Sequence, residues 1–243
     1  MAVTIQDKVA LITGASRGIG RAAALALAAE GAHVVVTART QSELESLADE
    51  IVTMGRRALV VAGDAANEDD VKRLHAETMA EFGHVDILVN NAGVGKYGPL
   101  GNLSVADYDW MMNTNMRTTF LVTHAFLGEM QARKQGNIVF IGSVAGLKGL
   151  PMEAVYCASK HAQYGFATAL DAECREHNIK VSYIAPGGVH TYFAFGTGRT
   201  QGNPVLEEFL DSEDVAKAVV FAVMQPPKSR VFLIGMRPMR EAL

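Results

Sequence analysis

Seven short apolar runs rich in β-branched residues recur along the 243-residue chain, each separated from the next by a stretch of helical periodicity. The runs are KVALIT (8–13), HVVVTA (33–38), RALVVAGD (57–64), DILVNNA (86–92), NIVFIGS (137–143), KVSYIAP (180–186) and RVFLIG (230–235). Helical stretches fall near 18–30, 41–54, 68–82, 104–133, 155–177 and 212–224. Strands this continuously apolar are covered on both faces, and strands joined through helices pair in parallel by right-handed crossovers. The pattern predicts an α/β fold with a doubly wound, seven-stranded parallel sheet and helices on both faces, one domain over 1–243. Ligands of such a sheet bind at the carboxyl ends of its strands, so the chemistry belongs in the loops that follow the runs.

Composition narrows the partners. Lysine and arginine number 22 against 26 acids, a net charge of −4, and no basic stretch exceeds a pair. That balance argues against nucleic acid or an anionic membrane as partner. No apolar stretch reaches the roughly 18 residues that span a bilayer. The start MAVTIQDKVALITG lacks the basic opening and small-residue cleavage site of a secretory signal, which with two cysteines predicts a reducing, cytoplasmic setting. Cys157 and Cys174 read as buried apolar side chains, not a disulfide. The seven histidines are scattered without a ligand pair, so no metal site is expected.

The first run leads into TGASRGIG (13–20), whose glycines are Gly14, Gly18 and Gly20, not the G-x-G-x-x-G of the general dinucleotide fingerprint. Its position between a strand and a helix still suits a pyrophosphate held at the helix N-terminus. Gly14 would make the sharp turn and Gly18 and Gly20 would permit close approach, with Ser16, Arg17 and Ile19 in the same cradle. The second run ends in Ala38-Arg39, where an NAD enzyme usually places an acid for the ribose 2′-hydroxyl. Alanine does not repel a 2′-phosphate and a guanidinium grips one, so NADP is favoured and NAD is less so. Asp64, followed by Ala65, is placed to accept from the adenine amine, or to cap the next turn. Asn90-Asn91-Ala92-Gly93 would turn tightly beside the adenosine ribose.

The stretch YCASK puts Tyr156 and Lys160 on one helix face, where an ammonium would favour a phenolate suited to proton exchange with an alcohol or carbonyl oxygen. Ser143, ending the fifth run, can donate to the same oxygen. Asn115, inside MMNTNMRTTF, would bend its helix and hold a water that relays protons to Lys160.

Taken together, TGASRGIG, NNAG, Asn115, Ser143, YCASK and PGGVHT (186–191) resemble the short-chain dehydrogenase/reductase family in its compact Rossmann-fold branch, in order and in spacing. The family's own glycine spacing is the shifted one found here. The resemblance implies hydride exchange between NADP and a ketone or secondary alcohol, with Tyr156 as general acid or base and Ser143 orienting the carbonyl. It implies that Lys160 binds the nicotinamide ribose and lowers the tyrosine pKa, with Asn115 completing the relay. Pro186, Gly187, Val189 and Thr191 match the loop that contacts the nicotinamide.

Substrate contacts are expected from 94–103, 144–155 and a mobile, glycine-rich segment within 187–211. Ser143, Tyr156, Leu147, Met152, Tyr192 and Phe193 head them, a lining for a moderately hydrophobic carbonyl or alcohol. Tyr97, Leu150, Phe195, His190 and Lys148 are further candidates. The C-terminal RVFLIGMRPMREAL lacks the double glycine of many tetrameric members, which weakens the case for a tetramer but leaves pairing through the helices at 104–133 and 155–177 open, so a homo-oligomer, dimer or tetramer, is expected. A 3-oxoacyl-carrier-protein reductase and a non-catalytic nucleotide sensor are the alternatives, and a sugar-nucleotide epimerase needs more than the 57 residues after Pro186.

Overall fold

A computed structural model describes residues 4–241; the first three residues of the stretch read for a signal and the last two of the C-terminal stretch lie outside it. Seven strands, β1 (Val9–Thr13), β2 (His33–Thr37), β3 (Ala58–Val60), β4 (Ile87–Asn90), β5 (Gly136–Ile141), β6 (Ile179–Pro186) and β7 (Leu233–Met236), form one parallel sheet in the order β3-β2-β1-β4-β5-β6-β7. The order reverses at β1, where Leu11 lies beside Val35 of β2 on one side and Leu88 of β4 on the other. A crevice opens at that reversal, beyond the strands' carboxyl ends.

Alternation along the strands sorts side chains into two cores. Ala10, Ile12, Val34, Val36 and Val89 pack beneath α1 (Gly18–Ala29), α2 (Gln41–Thr53) and α7 (Ser212–Val223). Leu11, Val35, Leu88, Ile138 and Phe140 pack beneath α3 (Glu68–Phe82), α5 (Thr118–Arg133) and α6 (Ala154–Cys174). Both sets are apolar because neither face of the sheet meets water. Ala23, Ala24 and Leu27 of α1 share their core with Val215 and Val219 of α7.

Two predicted elements come out differently. The run at 57–64 yields only three strand residues because β3 is an edge strand, although Val61 and Gly63 still donate to Val36 and Ala38 of β2. The helix expected over 104–133 is divided into α4 (Val105–Met112) and α5 by a π-helical turn at Asn113–Arg117. Asn115 is at the centre of that turn, which widens the helix by one residue where its side chain must reach inward. Cys157 and Cys174 are both free and buried. Among the described residues no helix is long and apolar enough to cross a membrane.

Candidate active site

The glycine cluster passes from β1 into α1 as the sequence suggests. Gly14 and Gly18 hold φ of +63° and +55°, which side chains resist. A Cβ on Gly20 would lie 2.4 Å from the Gly14 carbonyl oxygen and 2.5 Å from Asn91 Nδ2, so the helix docks on the loop through a bare backbone. Asn91 is turned to the loop itself, its amide donating to the carbonyls of Thr13 and Gly14 at 2.9 and 3.1 Å. Thr13 Oγ1 accepts from the backbone N–H groups of Asn91 and Ala92 at 3.0 Å each. Arg17 occupies the cap position of α1 in extended backbone without a side-chain cap bond, which leaves first-turn N–H groups for an outside acceptor.

This loop is one end of a cavity of about 890 Å³. Gly14, Ser16, Arg17, Gly18, Ile19, Arg39, Asp64, Ala65, Asn91, Ala92 and Gly93 border it, as does the segment Pro186, Gly187, Val189 and Thr191. A Cβ on Gly18 would meet Thr191 Cγ2 at 3.2 Å, so the two halves of the cradle touch. Arg39 is exposed on the rim and, among the described residues, makes no ion pair; Arg17 lies 5.7 Å from the Tyr192 ring centroid. Asp64 does cap its turn, accepting from Ala66 N at 2.9 Å, while still bordering the cavity. A tight glycine turn with no room for a Cβ, a free helix N-terminus and a rim arginine without an ion pair among the described residues fit the pyrophosphate and 2′-phosphate of NADP.

At the other end lie Ser143, Tyr156 and Lys160. Ser143 follows β5 and caps a 3-10 turn, Val144–Gly146, by accepting from Ala145 N at 3.1 Å, which leaves its O–H to donate. Tyr156 and Lys160 are both buried on α6, the ammonium 5.9 Å from the phenol centroid and donating to Ile141 O at 3.2 Å. Burial drives the Tyr156 phenol well above its ordinary value, with the Ser143 hydroxyl pulling it down. Burial also lowers Lys160 to about 8. In this cofactor-free arrangement desolvation is the largest influence on both groups, raising the phenol and lowering the ammonium.

Asn115 is buried and borders no part of the cavity; it fixes the wall instead. Its Oδ1 accepts from Val94 N at 2.7 Å, and its Nδ2 donates to Val94 O at 2.9 Å and Ser159 Oγ at 2.8 Å. Its backbone carbonyl accepts from Thr119 Oγ1 and from Gln163 Nε2. Both donors of the Asn115 amide are thus used by Val94 and Ser159, and its Oδ1 accepts from Val94.

Of the substrate candidates, Tyr192, Phe193, Tyr97, Leu150 and Phe195 border the cavity. Leu147 and Met152 do not; both are exposed beside the turn that enters α6. Glu153, Arg199 and Glu241 border it unexpectedly. Glu153 lies three residues before Tyr156, at the position that precedes α6. Glu241 carries no sequence signal: its Oε2 accepts from Gly188 N at 3.1 Å because β7 returns the chain end to the loop after β6.

A family model described as short chain dehydrogenase matches residues 8–201. The chain is 36% identical over 235 residues to a sepiapterin reductase of Chlorobaculum tepidum, covering 94% of this chain and 95% of that one. It is 36% identical over 225 residues to a 3-oxoacyl-[acyl-carrier-protein] reductase of Synechocystis sp., covering 90% of each. A metagenomic short-chain oxidoreductase solved in complex with NADP superposes with a TM-score of 0.84 at 34% identity, over 98% of this chain and 99% of that one.

Proposed function

The chain belongs to the short-chain dehydrogenase family, and from that premise we propose that it is an NADP-dependent carbonyl reductase, converting a ketone to a secondary alcohol or the reverse. The observation that carries this reading is the buried Ser143–Tyr156–Lys160 cluster at one end of a cavity whose other end is the glycine cradle. Gly14, Gly18, Gly20 and the first turn of α1 would hold the pyrophosphate, Arg39 and Arg17 the 2′-phosphate, and the 186–191 segment the nicotinamide. The cofactor would supply the hydride.

The chain's own residues supply the rest. Ser143 donates its free hydroxyl to the carbonyl oxygen, polarising it and fixing its position. Tyr156, kept protonated by burial, gives its phenolic proton to that oxygen as negative charge develops. Lys160, 5.9 Å from the ring centroid, stabilises the resulting phenolate and would donate to the nicotinamide ribose hydroxyls. Carbon gains hydride and oxygen gains the proton, so the product is the alcohol. We further propose a single domain, a cytoplasmic location and a homo-oligomer, in keeping with the composition and with a chain length matched by its relatives.

The test follows nicotinamide absorbance with NADPH and NADH against ketones, diketones, 3-oxoesters and sepiapterin. Turnover with NADPH that Tyr156→Phe suppresses is expected; undiminished turnover in that variant overturns the mechanism. A 3-oxoacyl reductase is the second reading, favoured by the equal identity to the Synechocystis enzyme. Efficient turnover of 3-oxoacyl thioesters alone would select it. A nucleotide sensor without turnover could dispense with Tyr156 and Lys160, and both are in place.

A further inference from the structure

The end of the cavity next to Tyr156 is unusual in what surrounds it. The Tyr97 ring meets Tyr156 edge-on at a centroid distance of 5.6 Å, and the Phe193 ring is tilted against it at 5.8 Å. Glu153 borders the same cavity. It occupies the position before α6, three residues ahead of Tyr156, and makes no hydrogen bond to the helix it precedes. Among the described residues it has no ion-pair partner. It is half-buried, and burial pushes its carboxyl above the ordinary value, with Arg199 opposing and Glu241 adding to the rise.

Three other charges border this region: Lys160, Arg199 and Glu241. Arg199 packs against Phe209 and Phe193, its guanidinium carbon 5.1 and 5.7 Å from their centroids, and donates to Val189 O at 2.9 Å. Glu241 accepts from Gly188 N. Of the two carboxylates, Glu153 is the one whose side chain accepts no hydrogen bond among the described residues. A partly desolvated carboxylate costs free energy unless something donates to it, and aromatic faces attract cations. An enclosure of rings and one unpaired carboxylate therefore favours a substrate with an N–H donor at this point and disfavours one with a carboxylate.

We propose that Glu153 sets the substrate class by accepting a hydrogen bond from an ammonium or ring N–H group that neighbours the reducible carbonyl. This rests on the carbonyl-reductase reading above. Glu153 is a specificity-determining residue in this role, and Tyr156 remains the proton donor.

Three ketones of related shape test it: acetophenone, α-aminoacetophenone (PhCOCH2NH3+) with its ammonium, and benzoylformate with its carboxylate. The readout is the ratio of kcat/KM values with NADPH at neutral pH. A charged hydrogen bond corresponds to about 1.5–3 kcal/mol, so the wild type should favour the amino ketone over acetophenone by roughly ten- to a hundredfold and disfavour benzoylformate. Glu153→Gln should collapse the first ratio to within about threefold of unity, and Glu153→Lys should invert the order of the two charged ketones. Because the side chain caps nothing, both variants should keep the wild-type circular dichroism, which checks that they fold. Equal efficiency of the three ketones in the wild type, or variants with unchanged ratios, overturns the proposal while leaving the reductase intact. No turnover of any of the three or of the wider ketone panel, despite NADPH binding, overturns both.

Discussion

The phenol of Tyr183 donates to the backbone carbonyl of Lys160 at 3.3 Å, joining β6 to the helix that carries the proton donor. The same ring lies beneath the Ser143 turn, where a Cβ on Gly142 would come within 2.0 Å of it and a Cβ on Gly146 within 2.2 Å of its hydroxyl. Ser143 is thus placed relative to Tyr156 by a side chain that touches neither substrate nor cofactor. Gly146→Ala should destabilise the protein by about 1–3 kcal/mol through overpacking. Tyr183→Phe, losing one hydrogen bond, should cost about 0.5–1.5 kcal/mol. In the double variant the two costs should total less than their sum, since the hydroxyl is the atom nearest the new methyl. Urea unfolding of the four proteins measures this; strict additivity would mean that the hydroxyl is not what resists the methyl group.

Tyr156→Phe removes the proton donor while leaving the ring contacts with Tyr97 and Phe193. General acid catalysis contributes about 10²–10⁴-fold, so kcat for ketone reduction should fall by that order. NADPH affinity, read from quenching of intrinsic fluorescence, should change little, because the cradle lies at the far end of the cavity. A loss of affinity as large as the loss of rate would place Tyr156 in cofactor binding and not in proton transfer.

Much of this arrangement was legible in the order of residues. The sheet followed from the seven runs because a doubly covered strand has no polar face to obscure its pattern. TGASRGIG and the Tyr156–Lys160 pair were legible because local backbone geometry and helical periodicity act over a few residues. What escaped depends on contacts distant in sequence. Asn115 was read as a water site, but its amide is consumed by Val94, 21 residues away, and by Ser159, 44 residues away. Leu147 and Met152 were read as lining because they flank the site in sequence, yet the turn before α6 exposes them, with Met152 in a left-handed backbone conformation. Glu241 reaches the cavity only through the pairing of β7 with β6.

Arg39 stands exposed on the cavity rim with no ion pair among the described residues, and the alanine before it offers no acid to hold a ribose 2′-hydroxyl. If it grips the 2′-phosphate, Arg39→Asp removes a charged contact worth about 1.5–3 kcal/mol and adds repulsion. The expected result is a roughly ten- to hundredfold or greater rise in the KM for NADPH, with NADH affected far less. Steady-state kinetics with both cofactors decides the matter, and a variant that weakens both equally would show that Arg39 shapes the loop instead.

Lys160 gives the test in which stability and activity oppose each other. Burial holds its pKa at about 8 in the folded, cofactor-free protein, against the ordinary 10.5, and its ammonium donates to Ile141 O. The folded state binds this proton less tightly than the unfolded chain, so the penalty for burying the ammonium is full below pH 8. It fades as pH rises through 8 towards 10.5, and above that the neutral amine costs no more than any buried polar group. Lys160→Met keeps the length of the side chain and discards the charge. The variant should therefore be more stable than the wild type at pH 7, by about 1–3 kcal/mol once the lost hydrogen bond is allowed for. Its advantage should shrink steadily in urea titrations between pH 8 and 10.5, while its ketone reduction at pH 7 should fall by orders of magnitude. A variant less stable than the wild type at every pH would show that the contact with Ile141 O outweighs the buried charge.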